Sequence, residues 1–377
     1  MAMALVGWLT LWQGQRADTE RVLQDCIVAY TDDPEIWRNW RRNPHVDHGL
    51  PAPLEFVWGQ ELMVMHRDPA SITVLARARE KSLDRGSEAM GRLLEAMAAG
   101  FFGTVEQALT LARRNVDDFA AAGALWLKSW AEMIWALALT KHGDPTTALS
   151  VGHAALTQLV AVRDHWGAAL AVHIRCWSLA RIIADSIAGG TDKSRLIALA
   201  TETARLVGGA KTLRAEVGTN IEELGPFADE TDKAIEIARG VLGTDAFAAM
   251  EKEGAALRPE KGEVQRLALG TLSMGRPVTG GNARTGTRHR WNELARAEQE
   301  VAVFAAAGLT NTAIAVRRGS SCRIVDAQMA GIFHKLMVTS RKDIVPFVPA
   351  GMIDEVRPRM EHRQRHSGEQ QYRSRRG

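Results

Sequence analysis

From Trp291 to Val348 the chain is punctuated at intervals that leave room for short helices and nothing longer. Glu298 and Glu300 stand where the first turn of a helix beginning near Ala297 sets negative charge against the positive end of the helix dipole. Val301, Phe304 and Ala305 follow at spacings of three and four, the period of one buried helical face. Gly308 ends that helix, because glycine takes a left-handed C-cap at little cost. Thr310 or Asn311 caps a second helix, with Ile314 and Ala315 inward and Arg317 and Arg318 at its electronegative end, and Gly319 closes it. Ser320 or Ser321 caps a third, in which Val325, Met329, Ile332 and Phe333 recur at helical spacing up to Leu336. Thr339 or Ser340 caps a fourth helix, which Pro346 and Pro349 interrupt or end.

Two short helices joined by a tight turn form a helix-turn-helix, whose second member enters the major groove in DNA-binding proteins. The series Leu294, Glu298, Glu300-Val301, Gly308-Leu309-Thr310-Asn311, Ile314-Ala315, Val325, Ile332, Lys335-Leu336, Val338, Ser340 and Arg341 resembles the C-terminal DNA-binding domain of LuxR-type transcriptional regulators. The resemblance implies a four-helix domain over residues 291–349 that binds double-stranded DNA. It implies that Thr310 and Asn311 donate to phosphate, that Ser321 opens the recognition helix, that Lys335 contacts the DNA backbone and that Val325 touches groove or core.

This chain departs from the family pattern along the recognition helix, where Ile324, Asp326 and Gln328 replace the usual threonine, lysine and histidine. Asp326 faces a polyanion unless it accepts from a cytosine amino group or pairs with Arg323, while Gln328 is able to read adenine. Thr312 and Ala313 replace further charged residues, for which Arg317, Arg318 and Arg323 compensate in part. The expectation is salt-sensitive DNA binding, weaker than that of a typical relative. In the family the fourth helix makes the dimer contact, so Val338, Ile344, Val345 and Phe347 are candidates for a two-fold homodimer interface, with packing against their own domain as the alternative.

Ahead of this module the chain reads as helix pairs. In the run from Ser129 to Leu159, Trp130, Ile134, Leu137 and Leu139 line one helix before the turn His142-Gly143-Asp144-Pro145. Asp144 caps the next helix, with Pro145 at its first position, where a missing N–H costs nothing. Ala148, Leu149, Ala155 and Leu156 supply the facing stripe. The same order of elements recurs from Phe101 and from Leu9. Such units resemble tetratricopeptide-type repeats, although the interval from Gly103 to Gly143 exceeds the roughly 34 residues of a regular repeat. Stacked pairs of this kind build one continuous core and a surface suited to a protein or small-molecule effector. Most of the eleven tryptophans fall at helical spacing and read as core.

Breaks divide the chain. The segment from Asp32 to Pro53, rich in proline, arginine and histidine, reads as a long loop in which Trp37, Trp40, Arg41 and Arg42 form cation–π stacks on the surface. Gly189-Gly190-Thr191-Asp192 precedes a helix holding Leu196, Ile197, Leu199 and Ala200, and two more helices follow between Pro226 and Gly254. Residues 273–290 carry glycine, threonine and arginine without an apolar period and read as a flexible linker. Residues 350–377 read as a basic disordered tail, adding either phosphate attraction or solubility. The division expected is therefore a helical-repeat domain over 1–272, the linker, the helix-turn-helix domain and the tail. The whole resembles the C-terminal half of large actinobacterial LuxR-type regulators, which carry an ATPase domain ahead of their repeats.

Other chemistries find little support. Gly208-Gly209-Ala210-Lys211-Thr212 lacks the glycines of a phosphate loop and no strand leads into it. His66-Arg67-Asp68 matches a kinase tripeptide without its downstream asparagine or lysine-bearing strand. His45 and His48, or His362 and His366, have no cysteine or carboxylate company at zinc spacing, and Cys26, Cys176 and Cys322 lie far apart. No run reaches the roughly 18–20 apolar residues of a membrane span, and the apolar start has no basic residue ahead of it as a secretory signal would. With a net charge of +3, the molecule as a whole is not a polybasic binder. The reading is an all-α cytoplasmic protein without enzyme activity, cofactor, metal or membrane contact. It is a transcription regulator in which an effector-receiving repeat domain is joined to a LuxR-type helix-turn-helix. The alternative is a protein–protein adaptor whose terminal module no longer binds DNA, favoured by Asp326 and Ile324.

Overall fold

The computed structural model describes residues 2–190, 192–219, 221, 224–272, 291, 294–336, 341–349 and 351–356, and every regular element among them is helical. The chain divides into two compact units, Met1–Leu269 and Gly270–Gly377.

The first unit opens with α1 (Ala2–Trp12), α2 (Arg16–Tyr30), α3 (Pro34–Asn39), α4 (Ala52–Glu61) and α5 (Ser71–Glu80). It continues through α6 (Arg85–Phe102), α7 (Val105–Ala121), α8 (Leu125–His142), α9 (Pro145–Ala161) and α10 (His165–Ala188). It ends with α11 (Lys193–Thr212), α12 (Arg214–Val217), α13 (Gly225–Leu242), α14 (Thr244–Ala255) and α15 (Glu263–Ala268). Each successive pair from α4 to α11 packs side by side, so neighbours in sequence are neighbours in space.

Short polar residues set the helix starts by satisfying N–H groups that have no partner within the first turn. Thr104 accepts from Gln107 N at 3.2 Å, and Asp144 accepts from Thr147 N at 2.8 Å with Pro145 following it. Asp164 does more than cap α10. Its Oδ1 takes Gly167 N at 2.8 Å, while its Oδ2 takes the indole N–H of both Trp126 and Trp130, each at 2.8 Å. Trp130 stacks on Trp166 beyond them, although Trp126 itself stays 42 % exposed and is not core.

The connector from Asp32 to Pro53 is more structured than its composition suggests. Asp33 caps α3 with Pro34 in the first turn, and a 3-10 turn Trp40–Arg42 continues it. Trp40 is 1 % exposed and meets Trp58 edge to face at 4.9 Å, so the Arg41 guanidinium over its ring covers a core residue. The surface stack expected there is replaced by burial of apolar area.

Two glycines explain the close crossing of α11 and α14. A Cβ on Gly208 of α11 would lie 1.9 Å from Glu251 O, and one on Gly254 of α14 would lie 1.9 Å from Arg205 O. Backbone meets backbone there, which only glycine allows. The Gly208-Gly209 pair is thus a packing device, and Lys211 is tied to Glu251 at 2.6 Å.

Contacts also run far beyond sequence neighbours. Phe227, 1 % exposed in α13, touches Trp12 of α1, Phe101 of α6 and Trp177 of α10. Around it Asp229 pairs with Arg67 at 2.8 Å, Glu230 with Lys141 at 2.6 Å, and Thr231 accepts from Trp177 Nε1 at 3.1 Å. Gly225 lies directly on the π-helical turn Leu62–His66, where a Cβ would stand 2.0 Å from Val64 O. Helix α13 therefore fastens early, middle and late hairpins together, which a purely nearest-neighbour array would not do. Among the described residues α10 is the one helix long and apolar enough to cross a membrane, and 83 % of that stretch is buried inside the protein.

The second unit contains α16 (Arg296–Ala306), α17 (Asn311–Arg318), α18 (Cys322–Leu336), a 3-10 segment Arg341–Phe347 and α19 (Met352–Val356). Trp291, Leu294, Val301, Phe304, Leu309, Ile314 and Ala315 share one core with Val325, Met329, Ile332, Leu336, Ile344 and Val348. A fourth α-helix was the sequence expectation. The segment is a 3-10 helix instead, with Pro346 inside it, where the ring would clash with the carbonyl four residues back in an α-helix. The expected tail also starts later, because α19 is helical and Ile353 and Val356 pack against the core. Thr339 and Ser340 lie outside the described residues, as do the linker 273–290 and residues 357–377.

Candidate nucleic-acid interface

Helices α17 and α18 are held by local chemistry at their ends. Thr310 is the cap of α17, its Oγ1 accepting from Ala313 N at 3.2 Å. Gly319 ends the helix at φ +61°, in the left-handed region. Two residues later Ser321 caps α18, accepting from Ile324 N at 3.3 Å. Between them, residues 319–321 turn the chain so that α18 buries Val325, Met329, Ile332 and Leu336 and leaves Cys322, Arg323, Ile324, Asp326 and Ala327 exposed.

The polar residues expected to face DNA are for the most part tied to one another. Asn311 Nδ2 donates to Asp326 Oδ1 at 2.5 Å, and Arg341 donates to Asn311 Oδ1 and to Leu309 O. Asp326 thus has Asn311 as its partner, not Arg323, because the first residue of α17 lies beside it. Arg318 bridges two helices, donating to Gln328 Oε1 at 2.6 Å and to Glu300 Oε2 at 3.1 Å. Lys335 pairs with Glu298 at 2.7 Å, and Arg317 lies over the Phe304 ring at 4.9 Å.

Glu298 is the central orienting residue. It takes the Ala295 N–H at 2.7 Å, satisfying a free donor at the start of α16, and the Lys335 ammonium from the end of α18. Ala295 has no side-chain oxygen to return the bond, so this is half of a capping box. Burial pushes the Glu298 carboxyl up, but the hydrogen bonds from Lys335 and Ala295 and the Lys335 charge outweigh it and hold the group below the usual carboxylate range. Gly331 leaves room for this, since a Cβ there would sit 3.0 Å from Glu298 Oε1. Nothing in the sequence other than the spacing of Glu298 ahead of an apolar run hinted at this double role.

Two candidate contact residues take the inward one of the two alternatives expected for them. Val325 is 0 % exposed and belongs to the core alone, so it reaches no groove. Ile344 is likewise 0 % exposed and is no dimer contact, because the 3-10 segment turns it onto α16. Phe347 packs partly against the same core, whereas Val345 is exposed. Val338 lies outside the described residues.

Elsewhere one trio, Glu20, Glu61 and His66, brings ligand-type atoms within 4.8 Å of one another. Arg41 already donates to Glu61 at 3.2 Å, and Arg16 reaches His66 Nδ1 at 3.3 Å. Arginine has no acceptor, so His66 Nδ1 accepts and Nε2 carries the proton, which opposes metal binding at that nitrogen. All three cysteines are free thiols, with Cys26 and Cys176 buried and Cys322 exposed. Comparison of the chain with protein-family models, with curated proteins and with solved structures finds no match.

Proposed function

We propose that this chain is a cytoplasmic DNA-binding transcription regulator. Residues 291–349 act as a LuxR-type helix-turn-helix that lays α18 in the major groove of double-stranded DNA. Residues 1–272 act as a tetratricopeptide-like array that receives a protein or small-molecule effector. The observation that carries this reading is the pair α17 and α18, joined by a left-handed glycine and a serine cap, with the first turns of α18 exposed. The opening residues of such a helix are the ones that reach base edges. Thr310 and Asn311 stand at the start of α17, where backbone N–H groups favour phosphate. The packing of each helix from α4 to α11 on the next in sequence supports the repeat reading. A homodimer through the segment after α18 would use Val345.

A second reading, a protein–protein adaptor, is favoured by the exposed apolar residues Val316 and Ile324 and by the internal pairing of Asp326, Gln328 and Lys335. Fluorescence anisotropy of the full chain with a random-sequence duplex pool separates the two. The regulator reading expects affinity that falls linearly with the logarithm of salt concentration, and absence of binding at about 50 mM salt would leave the adaptor.

A further inference from the structure

Helix α18 turns about 100° per residue, so the direction opposite its buried stripe of Val325, Met329, Ile332 and Leu336 falls on Arg323 and Ala327. Both are exposed. The flanking polar groups are committed: Asp326 to Asn311, Gln328 to Arg318, and Lys335 to Glu298. The other cations of the two helices are engaged as well, Arg318 with Glu300 and Arg317 with the Phe304 ring. Among the described residues Arg323 alone of these cations has no hydrogen bond, ion pair or ring contact.

Resting on the DNA-binding reading above, we infer that Arg323 and Ala327 are the base-reading pair. The Arg323 guanidinium donates two parallel hydrogen bonds to O6 and N7 of a guanine, and the Ala327 methyl packs on the C5-methyl of a thymine. Four residues along the helix advance about 6 Å. With a base step of about 3.4 Å, the thymine then lies about two pairs from the guanine. Asp326 reads nothing in this scheme. Its carboxylate is taken up by Asn311 at the start of α17, and the ligand is a duplex with a G·C pair and a T·A pair at that separation.

The test selects duplexes from a random pool with the full-length chain and with Arg323→Ala, Arg323→Lys and Ala327→Gly. Arg323 is exposed and unpaired, so its variants keep the fold, and exposed Ala327→Gly costs only about 1 kcal/mol of helix propensity, which circular dichroism checks. The wild type is expected to enrich a guanine with thymine about two pairs away. Arg323→Ala is expected to lose discrimination at the guanine by roughly 5- to 150-fold. Arg323→Lys keeps the charge but not the fork, so it loses the same discrimination while keeping its affinity for non-selected DNA. Ala327→Gly relaxes the thymine alone. If Arg323→Ala weakens all sequences equally and lowers the salt slope by about 0.9, Arg323 is a phosphate contact and the inference is overturned while DNA binding stands. If the wild type binds no duplex at low salt, the regulator reading fails and the base-reading pair fails with it.

Discussion

Glu298 ties the start of α16 to the end of α18, and removing it separates two contributions that the structure superimposes on one carboxylate. Glu298→Ala deprives the Ala295 N–H of its acceptor, a loss of about 1 kcal/mol for a typical cap. It also deprives Lys335 of its partner. Lys335 is 39 % exposed, so solvent screens that pair to about 0.5–1 kcal/mol. The sum is about 1.5–2 kcal/mol, which speeds amide exchange through opening of the second unit by about 10- to 30-fold. Glu298→Gln keeps an oxygen for Ala295 and removes only the charge, so it speeds exchange by about 2- to 5-fold. The assay is hydrogen–deuterium exchange of the full chain, read at the amides of Val301 to Phe304. The sign of the pH dependence follows from the depressed pKa of Glu298. Its contribution is complete above the unfolded carboxylate value of about 4.3 and is lost as pH falls through the lower folded value, so wild type and Glu298→Gln converge in acid. Equal exchange in the alanine and glutamine variants at pH 7, or a gap that widens in acid, would refute the reasoning.

Gly254→Ala places a methyl carbon 1.9 Å from Arg205 O, against backbone that has no rotamer to escape into. Separation of α11 and α14 is expected to cost about 1–3 kcal/mol, measured as a lower thermal midpoint, and an unchanged midpoint would show that the crossing has slack. Phe227→Ala empties a site where α1, α6 and α10 meet α13, for about 3–5 kcal/mol. Exchange is expected to rise in all four helices together, and a rise confined to α13 would mean that the hairpins are independent.

Features written in one turn of chain were legible in the sequence. Gly308, Gly319 and Asp144 act on their own backbone, so their identity and position reveal what they do without knowledge of the rest of the molecule. The stripe of Val325, Met329, Ile332 and Leu336 was equally visible, because a helix repeats its inward direction at fixed spacing. Partnerships across the fold left no such trace. Asp229 meets Arg67 over 162 residues, and no local pattern distinguishes that aspartate from a surface one. Trp40 was misread because proline and arginine around it suggested a loop, whereas one short helical turn was enough to bury it. In the candidate site, the helices followed from caps and periods, but the mutual pairing of Asn311 with Asp326 and of Arg318 with Gln328 depends on how α17 lies on α18. That angle is set by the core between them.

The claim that α18 meets DNA has a direct test in exchange protection of the full chain with and without a bound duplex. Binding is expected to slow exchange from Ser321 to Ala327 and at the start of α17 near Asn311, with the Arg323 segment protected most. Protection absent there, or placed only on the first unit, would contradict the account.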